Sequence, residues 1–200
     1  MRQGAKRRVF MRGWCMAGVL ALCSSGVLAA DFGIGVSARS DDGWLYVPID
    51  VAKSFRIEPS IRYGTSEIEF SEGDATEGQE TETWEAGIGL FGLRHLTEAA
   101  HVYYGVRLAY VDIESTVIQS GILSQPIRSE STQDGYRISP TLGFEYVFGG
   151  HFSVGGEAAY SFLDVEGEST SRVGNLDLST LRTEQKSQGT QTRLIFRYMF

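Results

Sequence analysis

GYRISPTLGFEYVF, Gly135 to Phe148, sorts by parity into two sets. Tyr136, Ile138, Leu142, Phe144, Tyr146 and Phe148 fall on one face, and Arg137, Ser139, Thr141, Gly143 and Glu145 on the other. Successive side chains of a strand point to opposite faces, so this stretch predicts a strand with one apolar, aromatic face and one of charge, hydroxyl and glycine. The chain's last residues, TRLIFRYMF from Thr192 to Phe200, repeat the pattern, with Phe196, Tyr198 and Phe200 opposite Arg193 and Arg197. In a soluble barrel the aromatic face would line the core. In a membrane barrel it would face lipid, and the arginines would face the lumen.

Moving outward from these two stretches, the same alternation recurs six more times. The segments are Phe32–Arg39, Trp44–Val51, Phe55 to about Phe70, Trp84–Leu96, His101–Val111 and Phe152–Phe162. Parity blurs around Phe91 to Leu93, where a bulge is expected. Pro48, Pro59 and Pro140 fall inside assigned strands, where each removes a ladder hydrogen bond. Connections are short after the second, fourth and sixth segments. They are mostly long and polar after the third, fifth and seventh, around 71–83, 115–133 and 165–190; SDDG, Ser40 to Gly43, is the short exception. An even number of strands with turns short at one end and long at the other predicts an all-β fold, an eight-stranded antiparallel up-and-down transmembrane β-barrel with both termini periplasmic. Such a sheet must close, because lipid cannot satisfy an open edge.

The N-terminus fits this destination. MRQGAKRRVFMRG is cationic without an acid, WCMAGVLALC is a short apolar run, and SSGVLAA offers Val27 and Ala29 to a small-residue cleavage site. Residues 1–30 are therefore expected to be a signal peptide, cleaved after Ala29 or Ala30, and 31–200 the barrel domain. Both cysteines, Cys15 and Cys23, lie in the leader, so disulfides and Cys-metal sites are not expected in the mature chain. Of 18 Lys and Arg, Arg2, Lys6, Arg7, Arg8 and Arg12 belong to the leader, and what remains faces 25 Asp and Glu. That acidity argues against nucleic acid as a partner.

Collected over the segments, the polar parity carries Arg39, Arg56, Glu58, Arg62, Glu85, Arg107, Arg137, Glu145, Glu157, Arg193 and Arg197, interleaved with Gly and Ser. A soluble lipocalin-like ligand-binding barrel would put such a face outside. A face so rich in glycine, Arg and Glu suits a narrow, crowded lumen better. Aromatics at Trp44, Trp84, Tyr110, Tyr136, Phe148, Phe152, Phe162, Tyr198 and Phe200 stand where membrane girdles would lie. Buried charge persists only when paired, so Glu58, Glu145 and Glu157 are expected to meet Arg62, Arg137 and Arg197, with Asp50, water or the loops balancing the excess of arginine.

GYRISPTLGFEYVFGGHFSVGGEAAYSF with the terminal RLIFRYMF resembles the small OmpA/OmpX-type outer-membrane β-barrel superfamily. The resemblance implies a cell outer membrane location, contact with outer-membrane lipid and lipopolysaccharide, and a barrel-assembly machinery that reads Phe196, Tyr198 and Phe200 as an assembly signal. It names no activity. The expected role is non-enzymatic, structural or adhesin-like, of a monomer whose acidic and polar outer loops meet any extracellular ligand; a narrow pore is the alternative. Glu72, Asp74 and Glu77 could bridge cations to lipopolysaccharide phosphates, although no ligand spacing specifies a metal. His151 and Ser153 resemble the His-x-Ser of PagL-like lipid A deacylases, a further alternative. Against it, GGH is expected on the periplasmic side and Val154 replaces the usual Asn. His95 and His101 flank a turn and are expected at the interface. No Walker loop, dinucleotide fingerprint or metal-ligand cluster appears, so no cofactor is expected.

Overall fold

The alternation of side chains is realised in one antiparallel meander that bites its own tail. The computed structural model describes residues 31–38, 43–72, 75–120, 126–174 and 176–200. The leader with its cleavage site, Arg39, most of SDDG and Asp74 lie outside the described residues. Nine strands follow in order: β1 Asp31–Ala38, β2 Gly43–Tyr46, β3 Ile49–Ala52, β4 Phe55–Glu72, β5 Ala75–His95, β6 Ala100–Ser120, β7 Ile127–Phe148, β8 Phe152–Val173 and β9 Leu176–Met199. β2 and β3 are two halves of one staggered strand, both pairing with β1 and β4, and β1 pairs with β9. The result is a closed ring of eight. Register gives its stagger: passing strand to strand from Glu85 through Arg62, Trp44, Ser37, Ile195, Gly155, Glu145 and His101, the path returns to β5 at His95, ten residues further along. Closure with such a stagger requires strongly tilted strands.

Faces separate as the sequence predicts. Phe32, Ile34, Val36, Leu108, Leu142, Phe144 and Leu194 are exposed on the outside, whereas Arg56, Glu58, Glu85, Arg107, Glu145, Glu157 and Arg197 are buried inside. This is the reverse of a soluble ligand-binding barrel, which would keep its charges outside. Cross-strand aromatic pairs mark the two borders of the apolar band. Phe32 stacks on Phe200 with centroids 5.1 Å apart at the end carrying the described chain termini. Tyr63–Trp84 at 5.0 Å and Tyr110–Tyr136 at 5.8 Å sit at the other border. Trp44, expected in a girdle, is buried in the lumen, because its parity follows Tyr46 and Asp50 rather than Leu45.

Three further expectations change. The segment Trp44–Val51 is broken at Val47 and Pro48. No bulge interrupts Phe91 to Leu93, since β5 keeps one register from Thr76 to His95 against β6; Phe91 simply points inward. Residues 71–83, 115–133 and 165–190 are largely strand rather than loop. β7, β8 and β9 run for 22, 22 and 24 residues, about twice what a tilted membrane strand needs. Period two continues there with Ser, Thr, Gln and Glu in place of apolar residues, and hydroxyls pair across strands, as in Ser129–Ser171 at 2.9 Å. Polarity marks where the strands leave the apolar band, not where they end.

The prolines sit where the ladder can lose a donor. Pro59 accepts a 2.9 Å bond from Val47 N–H, so its donorless nitrogen faces the interruption between β2 and β3. At Pro140 the β7–β8 ladder lapses between Ile138 and Thr141, and in that gap the hydroxyls of Ser139 and Ser161 bond each other at 2.8 Å. Pro140→Val, which returns the donor, is expected to stabilise the barrel by about 1 kcal/mol, read from urea unfolding in lipid vesicles.

Candidate functional site: the charged lumen

Each inward position on the lower strands is fixed by the pleat, and the register brings these positions together as one chain of alternating charge. Asp50 takes Arg56 in a two-pronged contact, Nε–Oδ1 at 2.6 Å and Nη2–Oδ2 at 3.1 Å. Arg56 Nη1 reaches Glu145 Oε2 at 2.8 Å, and Glu145 meets Arg197 Nη1 at 3.3 Å. Arg197 Nη2 meets Glu58 at 2.7 Å, and Arg107 Nη2 joins Glu58 at 2.9 Å to Glu157 at 3.3 Å. Arg193 Nε closes the series on Glu157 at 3.0 Å. Nearer the border opposite the described chain termini Glu85 receives both Arg62 at 3.1 Å and Arg137 at 2.9 Å.

Of the eleven charged residues on that parity, the ten described, all but Arg39, lie inside the ring, but the partners of some differ from expectation. Arg62 and Arg137 both go to Glu85 instead of Glu58, Glu145 or Glu157. Arg62 stands directly opposite Glu85 in the β4–β5 ladder, and Arg137 reaches the same carboxylate from β7, two strands away. Asp50 supplies the fifth carboxylate against the six described inward arginines, leaving little charge to be balanced by solvent.

Aromatic side chains fill the space between the charges, and the sequence reading did not single these out. Tyr103 donates to Glu157 Oε2 at 3.1 Å and lies under Arg197, 5.2 Å from ring centroid to guanidinium. Tyr46 accepts from Arg193 at 2.9 Å, donates to Ser37 at 3.1 Å and lies under Arg107 at 4.7 Å. Phe91 packs edge-on to Tyr103 at 5.3 Å. Glycine makes the room: a Cβ on Gly143 would stand 2.0 Å from Tyr103 Cζ, and one on Gly89 2.3 Å from Phe91 Cε2. Inward aromatics facing inward glycines were the available signal.

The two residues of the deacylase-like motif are engaged separately. Ser153 donates to Glu145 inside the lumen, whereas exposed His151 contacts the Met199 carbonyl oxygen through Nδ1 at 3.0 Å. Glu77 accepts from Gln119 at 2.9 Å. Among the described residues no three His, Cys, Asp or Glu side chains group as metal ligands. Outside the apolar band Lys186 hydrogen-bonds Glu184 at 2.8 Å, and that bond holds the Glu184 carboxyl below its ordinary pKa.

No protein-family model and no curated protein sequence matches this chain. Among solved structures, a major outer membrane protein from Thermus thermophilus superposes with a TM-score of 0.66 at 12% identity, over 86% of this chain and 100% of that one. The fold is that of an outer-membrane β-barrel. Ail of Yersinia pestis, in complex with the heparin analogue sucrose octasulfate, matches this barrel with a TM-score of 0.47 at 10% identity, over 86% of this chain and 95% of that one. The outer membrane protease OmpT of Escherichia coli matches with a TM-score of 0.47 at 15% identity, over 80% of this chain and 63% of that one.

Proposed function

We propose that this outer-membrane barrel is a non-enzymatic surface-interaction protein, monomeric, with a sealed lumen and both termini periplasmic, whose outer sheet engages extracellular polypeptide through unpaired strand edges. One observation carries the reading. β1 ends at Ala38, and its ladder with β9 covers Leu194 to Met199 alone; the β2–β4 ladder stops at Tyr63. Above these points β4 to β9 continue as six strands, and among the described residues neither outer edge has a partner. Apolar side chains lie uncovered there: Ile68 is 45% exposed, Phe70 63% and Leu181 63%. Open edges with apolar side chains are the requirement for strand addition.

Phe200 N–H bonds toward Phe32, so even-numbered residues of β9 address the β1 side, and above Leu194 that side is open. Proline at Gln188 or Thr190 would block strand addition without removing a ladder bond. Cells producing the protein are expected to adhere to immobilised extracellular-matrix proteins above the level of non-producing cells. Both proline variants should lose that adherence while keeping a faster-migrating unboiled band. Adherence equal to that of non-producing cells, or unaltered by the prolines, would sink the reading.

Phe196 and Tyr198 continue the lipid-facing row of β9, and Phe200 follows directly after it. In this reading the barrel-assembly machinery takes them as its signal. Phe200→Ala is expected to lower the outer-membrane level at least several-fold while leaving refolding in detergent near normal; parallel losses in both assays would reduce Phe200 to its packing on Phe32.

A further inference from the structure

His95 and His101 form the last rung of the β5–β6 ladder, at the end of the barrel that carries the described chain termini. Both have the inward parity of Glu85, Phe91 and Tyr103. Their rings are 4.8 Å apart between centroids and inclined at 69°. With metal–nitrogen bonds near 2.0–2.1 Å in a tetrahedral arrangement, two imidazoles on one ion have centroids about 5 Å apart. Nδ1 of His101 is buried, and no described group hydrogen-bonds it. The pair thus joins a buried ring nitrogen without a described hydrogen-bond partner to a second imidazole at the centroid separation that a shared ion would give.

We propose that His95 and His101 are a two-imidazole site for a divalent ion of the Zn2+ or Ni2+ class, with water completing the coordination. The ion class follows from the donors, since imidazole suits these metals whereas Mg2+ and Ca2+ require oxygen ligands. A cross-strand pair on a rigid ladder is already held together, so chelation orders little that is not ordered before it. Bound there, the ion ties β5 to β6 at the rung next to their connecting turn. The site is independent of the outer sheet and of the surface-interaction reading.

The test uses the untagged mature barrel refolded in detergent and titrated calorimetrically with Ni2+ and with Zn2+ at neutral pH. Saturable uptake of one equivalent below millimolar concentration is expected, with a rise in unfolding temperature. Even partners one shell out from a metal are worth tenfold, so His95→Ala and His101→Ala should each weaken binding at least about tenfold. His151→Ala should bind as the unaltered protein does. Should either variant fail to fold, Cu2+ electron paramagnetic resonance on the unaltered barrel reads nitrogen coupling from two imidazoles directly. Absence of saturable uptake, uptake indifferent to His95 and His101, uptake lost with His151, or a spectrum without two coupled nitrogens would each overturn the site.

Discussion

Glu58→Ala is expected to lower the unfolding free energy of the refolded barrel by about 3–5 kcal/mol, the cost of leaving buried charge uncompensated. Glu58 is fully buried and holds two arginines at once, Arg197 at 2.7 Å and Arg107 at 2.9 Å. Removing it leaves Arg197 with Glu145 and Arg107 with Glu157, each at 3.3 Å, so the centre of the alternating chain carries an excess of buried positive charge. Glu58→Gln keeps the shape and one acceptor and should fall between the two proteins. Urea unfolding in lipid vesicles, followed by the fluorescence of Trp44 and Trp84, reads the difference. Glu166→Ala, which breaks an exposed pair with Arg182, should leave the same curve unmoved. Equal effects at Glu58 and Glu166 would mean that water already reaches the lumen charges.

Removing the aromatic filling should have an effect of similar size and a second readout. Phe91→Ala and Tyr103→Ala are each expected to cost about 3–5 kcal/mol, with coupling between them because the rings touch. Unlike a cavity in an apolar core, this one is bordered by Glu58, Arg107, Glu157 and Arg197, so water would enter it. The unaltered barrel is expected to show no steady conductance in planar bilayers, and the Phe91→Ala/Tyr103→Ala double variant to show stable open steps. Large steady conductance in the unaltered barrel would replace the sealed lumen by the narrow-pore reading.

Much of this was legible because a barrel's two faces are written directly into alternate residues. Arg137, Ser139, Thr141, Gly143 and Glu145 needed only a period of two to be placed inside. Pairing was not legible, because parity fixes the face but not the register: Arg62 stands opposite Glu85 in the ladder, and Arg137 reaches the same carboxylate from two strands away. Strand ends were misread for a different reason. The polar runs after Phe70, Val111 and Phe162 lose apolar alternation on leaving the membrane, yet their backbone pairing continues to Thr76–Ser120 between β5 and β6 and, past one register shift between Ser171 and Arg172, to Val173–Leu176 between β8 and β9. Phe91 and Tyr103 were missed because large rings on the polar parity contradict a simple lumen. Tyr103 depends on Gly143 in another strand, which no local window joins to it, whereas Phe91 depends on Gly89 two residues away in its own strand.

The ring is closed by a short ladder of six rungs. β1 meets β9 from Gly33 to Ala38, whereas β5 and β6 share a ladder from Thr76 to His95. Local opening follows the weakest cooperative boundary, so amide hydrogens of Ile34, Val36 and Phe196 should exchange with deuterium sooner than those in the middle of β6. That seam also joins the first described strand to the last, the pairing most distant in sequence. It forms last and separates first, so the barrel would unfold by unzipping along one line rather than by loosening throughout.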